Sequence, residues 1–206
     1  MGTRLGRAES RDDQGINKNR KMTQYIAFMR AINVGGRAVV KMTDVKDAFA
    51  AAGCKRVMTY IQSGNVIFEV AEEKTTAIFQ RIRDNLCALI GSEPGILLRT
   101  VPEVEKVVSG LPFKDFDADP GIKQYVVFLS HKPKSKPRFP LFDPKEALEA
   151  IGMKKLEVFV LSRRKKNGFY GFPNNFIEKQ LGVSATTRNW TTVSKIVEFA
   201  RRLGDV

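Results

Sequence analysis

Between residues 24 and 101 the hydrophobic spacing alternates between the period of a strand and that of a helix in one fixed order, and few folds can satisfy that order. Gln24–Arg30 is rich in Tyr, Ile, Phe and Met and carries no breaker, so it reads as a strand. A glycine-bearing loop follows. Thr43 is placed to cap a helix whose apolar positions are Val45, Ala48, Phe49 and Ala52, with Gly53 as its stop. Arg56–Ile61 and Asn65–Val70 are strands joined by the turn Gln62-Ser63-Gly64. Thr75–Ile90 is the clearest helix, with Ile78, Phe79, Ile82, Leu86 and Leu89 on one stripe. Gly95–Val101 is a fourth strand. The order is β-α-β-β-α-β, a ferredoxin-like unit. Thr100 and Glu103 then have the spacing of a capping box at the head of a short valine-rich helix.

Residues 111–122 cluster Pro, Asp and Gly and mark a boundary. Beyond it the theme is expected to repeat. Lys123–Leu129 is a strand, and Asp143-Pro144 opens a helix that ends at Gly152. Leu156–Leu161 and the aromatic Gly168–Phe172 are strands. Asn174–Leu181 is a helix, Val183–Arg188 an edge strand and Trp190–Leu203 a final helix. The expected class is α+β: two ferredoxin-like β-α-β-β-α-β subdomains with an additional C-terminal helix. Residues 1–22 read as a disordered extension, 23–110 as the first subdomain and 111–206 as the second.

Charge and cysteine content narrow the function classes. The formal net charge is +13, with +3 in residues 1–22, +2 in 23–110 and +8 in 111–206. That excess favours acidic partners. No apolar run reaches the roughly 18–20 residues of a membrane span, and no secretory signal is present, so a cytoplasmic location and no membrane partner are expected. Cys54 and Cys87 are far apart, Cys87 falls on the apolar face of the 75–90 helix, and His131 is the single histidine. Reduced structural thiols, no metal site and no cofactor follow. Asp115, Asp117 and Asp119 alternate beside Pro120 but lack the glycine and closing glutamate of a calcium loop.

Three stretches can carry chemistry. The strand that ends at Arg30 runs into Asn33, Gly35 and Gly36, and the second turn offers Ser63, Gly64 and Asn65. Glycines let a backbone approach a ligand, and consecutive N–H groups can hold an anion, although plain turn chemistry accounts for the same residues. Arg188 and Asn189 stand at a helix start, where an anion can be held. An N-cap by Asn189, a packed Trp190 and a surface Arg188 are the competing account. The third stretch is basic: Lys132, Lys134, Lys136 and Arg138 on one connection, and Arg163, Arg164, Lys165 and Lys166 on another. Both can meet phosphates, and both can be merely solvated.

The first unit has the element order of an RNA-recognition motif, but Asn65 and Ile67 stand where stacking rings are needed on its third strand. No nucleophile elbow, zinc-protease motif or Cys/His pair is visible, so Ser63 and Tyr60 remain candidate groups without an assignable reaction.

The blocks Tyr25-Ile-Ala-Phe-Met-Arg-Ala-Ile-Asn-Val-Gly-Gly36, Thr59-Tyr-Ile-Gln-Ser-Gly-Asn-Val66 and Thr186-Thr-Arg-Asn-Trp-Thr-Thr-Val193 resemble the DUF 1697 family of bacterial proteins. The resemblance covers about residues 22–203. It implies a two-part α+β cytoplasmic protein with ferredoxin-like topology, and it brings no activity, cofactor or catalytic residue. The expectation for function is a site for a small anionic or polar molecule formed by the glycine turns and Arg188-Asn189. The alternatives are nucleic-acid association through the basic loops, or an interaction role without catalysis.

Overall fold

A computed structural model describes residues 21–30, 32, 40–116 and 119–204. The first unit comprises β1 (Met22–Arg30), α1 (Met42–Ala51), β2 (Lys55–Tyr60), β3 (Asn65–Ala71), α2 (Thr75–Ile90) and β4 (Gly95–Thr100), followed by α3 (Val101–Val108). Its antiparallel sheet has the order β2-β3-β1-β4, as a ferredoxin-like unit requires. The first strand begins at Met22, which pairs with Ala71, slightly earlier than expected, and residues 1–20 lie outside the described residues. Two other details differ. Lys41, not Thr43, occupies the cap position of α1, and it makes no side-chain cap. Cys87 is exposed, because Ile78, Ile82 and Leu86 suffice to fill the inner face of α2. The Thr100–Glu103 capping box is present as expected.

The second unit comprises β5 (Ile122–Leu129), β6 (Leu141–Asp143), β7 (Leu148–Lys154), β8 (Glu157–Arg163), α4 (Asn174–Leu181), β9 (Ala185–Asn189) and α5 (Trp190–Gly204). Its sheet runs β6-β7-β8-β5-β9. With β6 set aside, the order repeats that of the first sheet, and α5 follows β9 as α3 follows β4.

The expected helix over 143–151 is a hairpin instead. Asp143 does accept from the Glu146 N–H at 3.2 Å, as a helix-opening residue would. The chain then turns at Ala147, which takes φ +54, and pairs with β8. Leu148 and Ala150 alternate into one core with Ile151 on the opposite face, and the register shift between Ala150 and Gly152 returns Met153 to the first core. An Asp-Pro start suits a turn and a helix equally well, and the ladder with β8 decides. The aromatic segment 168–172 likewise forms a single bridge, Arg164 to Tyr170, rather than a strand.

Each sheet is covered on both faces. Helices α1 and α2 pack on one face of the first sheet over Ala27, Met29, Val66 and Phe68. Its other face, with Ile26, Phe28 and Ile67, meets Val126, Phe128 and Leu161 of the second sheet, together with α3 and α5. The far face of the second sheet is covered by α4. The rings of Phe28 and Phe128 stack at 4.0 Å between the sheets. The surface that an RNA-recognition motif would use is therefore interior.

Cys54 is buried, and its thiol is pushed up from 9.0 to about 12 by desolvation, against a smaller opposing effect of Arg81. The folded state keeps that proton where the unfolded chain loses it, so this group's contribution to stability declines as pH rises above about 9. Iodoacetamide at pH 8 is expected to modify Cys87 in the native protein and to reach Cys54 only on unfolding, as read by mass spectrometry.

Candidate functional site

Strands β3 and β8 each begin beside an arginine that belongs to the other unit. Arg188 lies on β9 opposite Val126, is 7% exposed, and reaches across to the first sheet. Its Nε donates to Asn65 Oδ1. Nη1 donates to Thr186 Oγ1 and the Thr187 carbonyl, both at 2.9 Å. Nη2 donates to the carbonyls of Met29 at 2.8 Å, Ser63 at 3.0 Å and Gly64 at 3.2 Å. All five N–H groups of the guanidinium therefore have protein acceptors. The group lies 5.6 Å from the Phe28 ring centroid.

Arg99 does the same in the opposite direction. It lies on β4 opposite Ile26 and reaches the second sheet. Its Nε donates to Glu157 at 2.7 Å, Nη2 to the Leu129 carbonyl at 2.7 Å, and Nη1 to the Leu98 carbonyl at 2.8 Å. It lies 5.8 Å from the Phe128 ring. The correspondence holds residue by residue. Phe28 faces Asn65 in its ladder and Phe128 faces Glu157, while the carbonyls of Met29 and Leu129 hold equivalent places. The two units form an internal pseudo-dimer whose approximate two-fold axis passes between the stacked rings.

The symmetry is broken at the Arg188 end in two ways. Glu157 neutralises Arg99, whereas Asn65 leaves Arg188 charged, with no carboxylate against it among the described residues. Desolvation alone lowers Arg188 from 12.5 to about 10. The turn beside it is also longer. Residues 61–64 separate the paired Tyr60 and Asn65, whereas 155–156 separate Lys154 and Glu157.

That longer turn is tightly built. Gly64 takes φ +75, and a Cβ there would stand 2.4 Å from Ile32 Cγ2 and 2.9 Å from Met29 Cβ. Its carbonyl also accepts from Met29 N–H at 2.8 Å. Asn65 donates to the Tyr60 carbonyl and to Ser63 Oγ, at 3.1 and 3.0 Å. At the tip Ile61 takes φ +51 and is 51% exposed, a costly conformation for a β-branched residue.

The structure thus brings Ser63, Gly64, Asn65 and Arg188 together, as the sequence suggested, but Arg188 faces inward as a clamp and is neither a surface residue nor a free ligand contact. Asn189 is an N-cap, its Oδ1 accepting from Thr191 N–H at 2.9 Å, and Trp190 packs edge-on against Phe113. Arg30 forms a surface pair with Glu178 at 2.9 Å. Asn33, Gly35 and Gly36 lie outside the described residues. Tyr60 packs against the inter-sheet core beside Phe199. His131 meets the Ser130 hydroxyl at 2.9 Å on an exposed connection. Among the described residues no group of His, Cys, Asp and Glu could hold a metal.

The two basic stretches do not come together. Lys132, Lys134, Lys136 and Arg138 are exposed on the connection that leaves β5 at Leu129. Arg163, Arg164, Lys165 and Lys166 lie where Ile122 pairs with Arg163, at the other end of that sheet. Arg163 pairs with Glu149 at 2.7 Å, and Lys165 with Glu146 at 3.0 Å.

A family model for proteins of unknown function, DUF1697, matches residues 22–159. The chain belongs to this family. The family match takes in Met29, Gly64, Asn65, Arg99 and Glu157 and ends before Arg188. A solved structure of a conserved bacterial protein, SP0830 from Streptococcus pneumoniae, has the same fold, with a TM-score of 0.58 and 20% identity over 87% of this chain and 99% of that one. No curated protein matches. No described helix is long and apolar enough to cross a membrane.

Replacing Arg188 by Met removes the guanidinium donors from Asn65 Oδ1, Thr186 Oγ1 and four carbonyls, of which Gly64 keeps the Met29 N–H, and should cost about 3–5 kcal/mol, or roughly 10 °C in Tm. Arg188→Lys should recover little, because an ammonium has three donors and no fork. Urea unfolding of the two variants checks both outcomes.

Proposed function

We propose that this DUF1697 protein binds a small anion, bearing a carboxylate or phosphate group, over the 61–64 turn. The observation that carries the reading is the broken symmetry of the two clamps. At one end a carboxylate cancels the buried guanidinium. At the other a neutral amide stands in its place, and there the turn is longer, exposed and strained.

The chemistry follows from the direction of the peptides. Arg188 draws the Ser63 carbonyl inward. The peptide is planar and trans, so the N–H of Gly64 points away from the guanidinium. A buried positive charge thus lies behind the exposed residues 61–63, and the 63–64 peptide dipole directs its positive end away from that charge, an arrangement that favours anions. The Ser63 hydroxyl and the exposed Gln62 side chain flank it. The ligand is drawn by the field of Arg188 and does not touch that side chain. Low local dielectric makes such a field stronger than it would be in water.

Asn65→Asp separates this reading from a purely structural clamp. The new carboxylate would neutralise Arg188 and copy the Arg99–Glu157 pair. Because the carboxylate also replaces the Asn65 N–H donors to the Tyr60 carbonyl and Ser63 Oγ, the variant is expected to melt at or below the wild-type temperature in chloride buffer. It should also lose the rise in Tm that inorganic phosphate or citrate produces in the wild type at matched ionic strength. A wild type indifferent to both anions, or a variant that responds as the wild type does, would contradict the proposal.

A further inference from the structure

The second unit carries a different surface, which neither clamp explains. After β8 the chain makes a tight basic turn and then lays Phe169 and Phe172 on the outside, 71% and 61% exposed. Singly exposed hydrophobics are ordinary, but two rings exposed this far within three positions of each other form a small apolar platform. Here the loop that bears them is firmly anchored. Lys165 N–H donates to the Phe169 carbonyl at 2.8 Å, and Gly168 N–H to the Lys165 carbonyl at 2.9 Å. Asn167 Oδ1 accepts from Phe169 N–H at 3.1 Å. Ser162 donates to the Gly171 carbonyl at 2.9 Å. Gly171 lies so close to the 143–147 turn that a Cβ would stand 2.2 Å from the Glu146 carbonyl oxygen. The rings are therefore displayed on a fixed platform rather than left on a loose segment.

The surroundings are cationic. Two of the four basic residues in the turn are used internally, Arg163 on Glu149 and Lys165 on Glu146, while Asp119 lies on the adjoining turn and accepts from Gly121 N–H at 2.7 Å. Arg164 and Lys166 are exposed and form no ion pair among the described residues, and Arg164 is oriented by its Nε bond to the Gly168 carbonyl. Lys123 reaches over the Tyr170 ring at 4.3 Å. Phe172 is held edge-on by Tyr125, with centroids 5.9 Å apart. Phe172 is three positions after Phe169, so their Cα atoms lie within roughly 10 Å.

From this we infer a single-stranded nucleic-acid contact surface, in which Phe169 and Phe172 stack on bases while Arg164, Lys166 and Lys123 meet the phosphates. Rigid rings interleaved with cations are what sequence-tolerant single-strand binding uses, because every base offers a flat face and every linkage a charge. Duplex binding would leave the rings without partners. Insertion into an anionic membrane calls for a contiguous apolar face, which two rings on a hydrogen-bonded loop do not provide. The inference is independent of the anion site, which lies in the other unit.

The test uses the full chain and a labelled oligothymidylate of about 20 nucleotides, longer than one such site, at about 50 mM salt. Binding is expected to weaken steeply with added salt. Phe169→Ala and Phe172→Ala should each weaken it by about fivefold or more while leaving heparin binding unchanged. Arg164→Glu with Lys166→Glu should weaken both. Phe169 makes no ring contact among the described residues, so its variant is expected to keep the wild-type melting temperature. Three results would overturn the inference: no binding of the single strand at low salt; equal losses toward heparin and the oligonucleotide in the phenylalanine variants; or preferential binding to duplex DNA or to phosphatidylserine vesicles.

Discussion

A guanidinium has five N–H groups, and the fold supplies Arg188 with an acceptor for each. Three of the acceptors to Nη2 are main-chain carbonyls at the ends of β1 and the β2–β3 turn, and one to Nη1 is on β9 itself. One side chain therefore fixes the register of two sheets against each other and sets the shape of a turn. Arg99 repeats the arrangement from the other side. Between them Phe28 and Phe128 stack across the interface. Apolar burial gives the interface its affinity, while the arginines make one alignment of the sheets satisfy every polar group. No buried side-chain polar atom among the described residues lacks a partner.

The two clamps are alike in geometry and unlike in charge, and that difference gives the functional reading its direction. The Asn65 end retains a buried charge beside an exposed residue with left-handed backbone geometry. Strain and uncompensated charge concentrated at one turn are the features on which the proposed anion site rests. The second unit places its surface chemistry elsewhere, on the aromatic segment after β8. The two halves of one duplicated plan thus carry different exposed features.

Much of this was legible in the sequence. Strand and helix periodicities located all five α-helices and most strands, and α2 and α4 fell on their expected residues. What periodicity could not decide was Asp143–Gly152, where the apolar spacing fits either element and a long-range ladder with β8 settles the matter. The convergence of Ser63, Gly64, Asn65 and Arg188 was anticipated because their blocks share polar turns, but the inward orientation of Arg188 was not. Orientation depends on which sheet covers which, and short sequence blocks do not encode that. Arg99 and Glu157 went unnoticed, although each is a charge set within an apolar strand, in Ile-Leu-Leu-Arg-Thr-Val and Leu-Glu-Val-Phe-Val. Such an isolated charge in a strand buried on both faces signals a buried partner. Phe169 and Phe172 read as a strand because aromatic residues favour strands, while Gly168, Gly171 and Pro173 around them were the better guide.

The coupling of the two units can be measured with probes the chain already contains. Trp190, at the start of α5, packs on the core shared by the two units, and Cys54, buried in the first, reports on the core under α1 and α2. In a Cys87→Ser background, Trp190 fluorescence and pulsed alkylation of Cys54 can be followed through one urea titration. If the reciprocal arginines bind the units into a single cooperative structure, the two transitions coincide in the wild type and separate in Arg188→Met. A wild type in which Cys54 becomes reactive well before Trp190 responds would contradict the account.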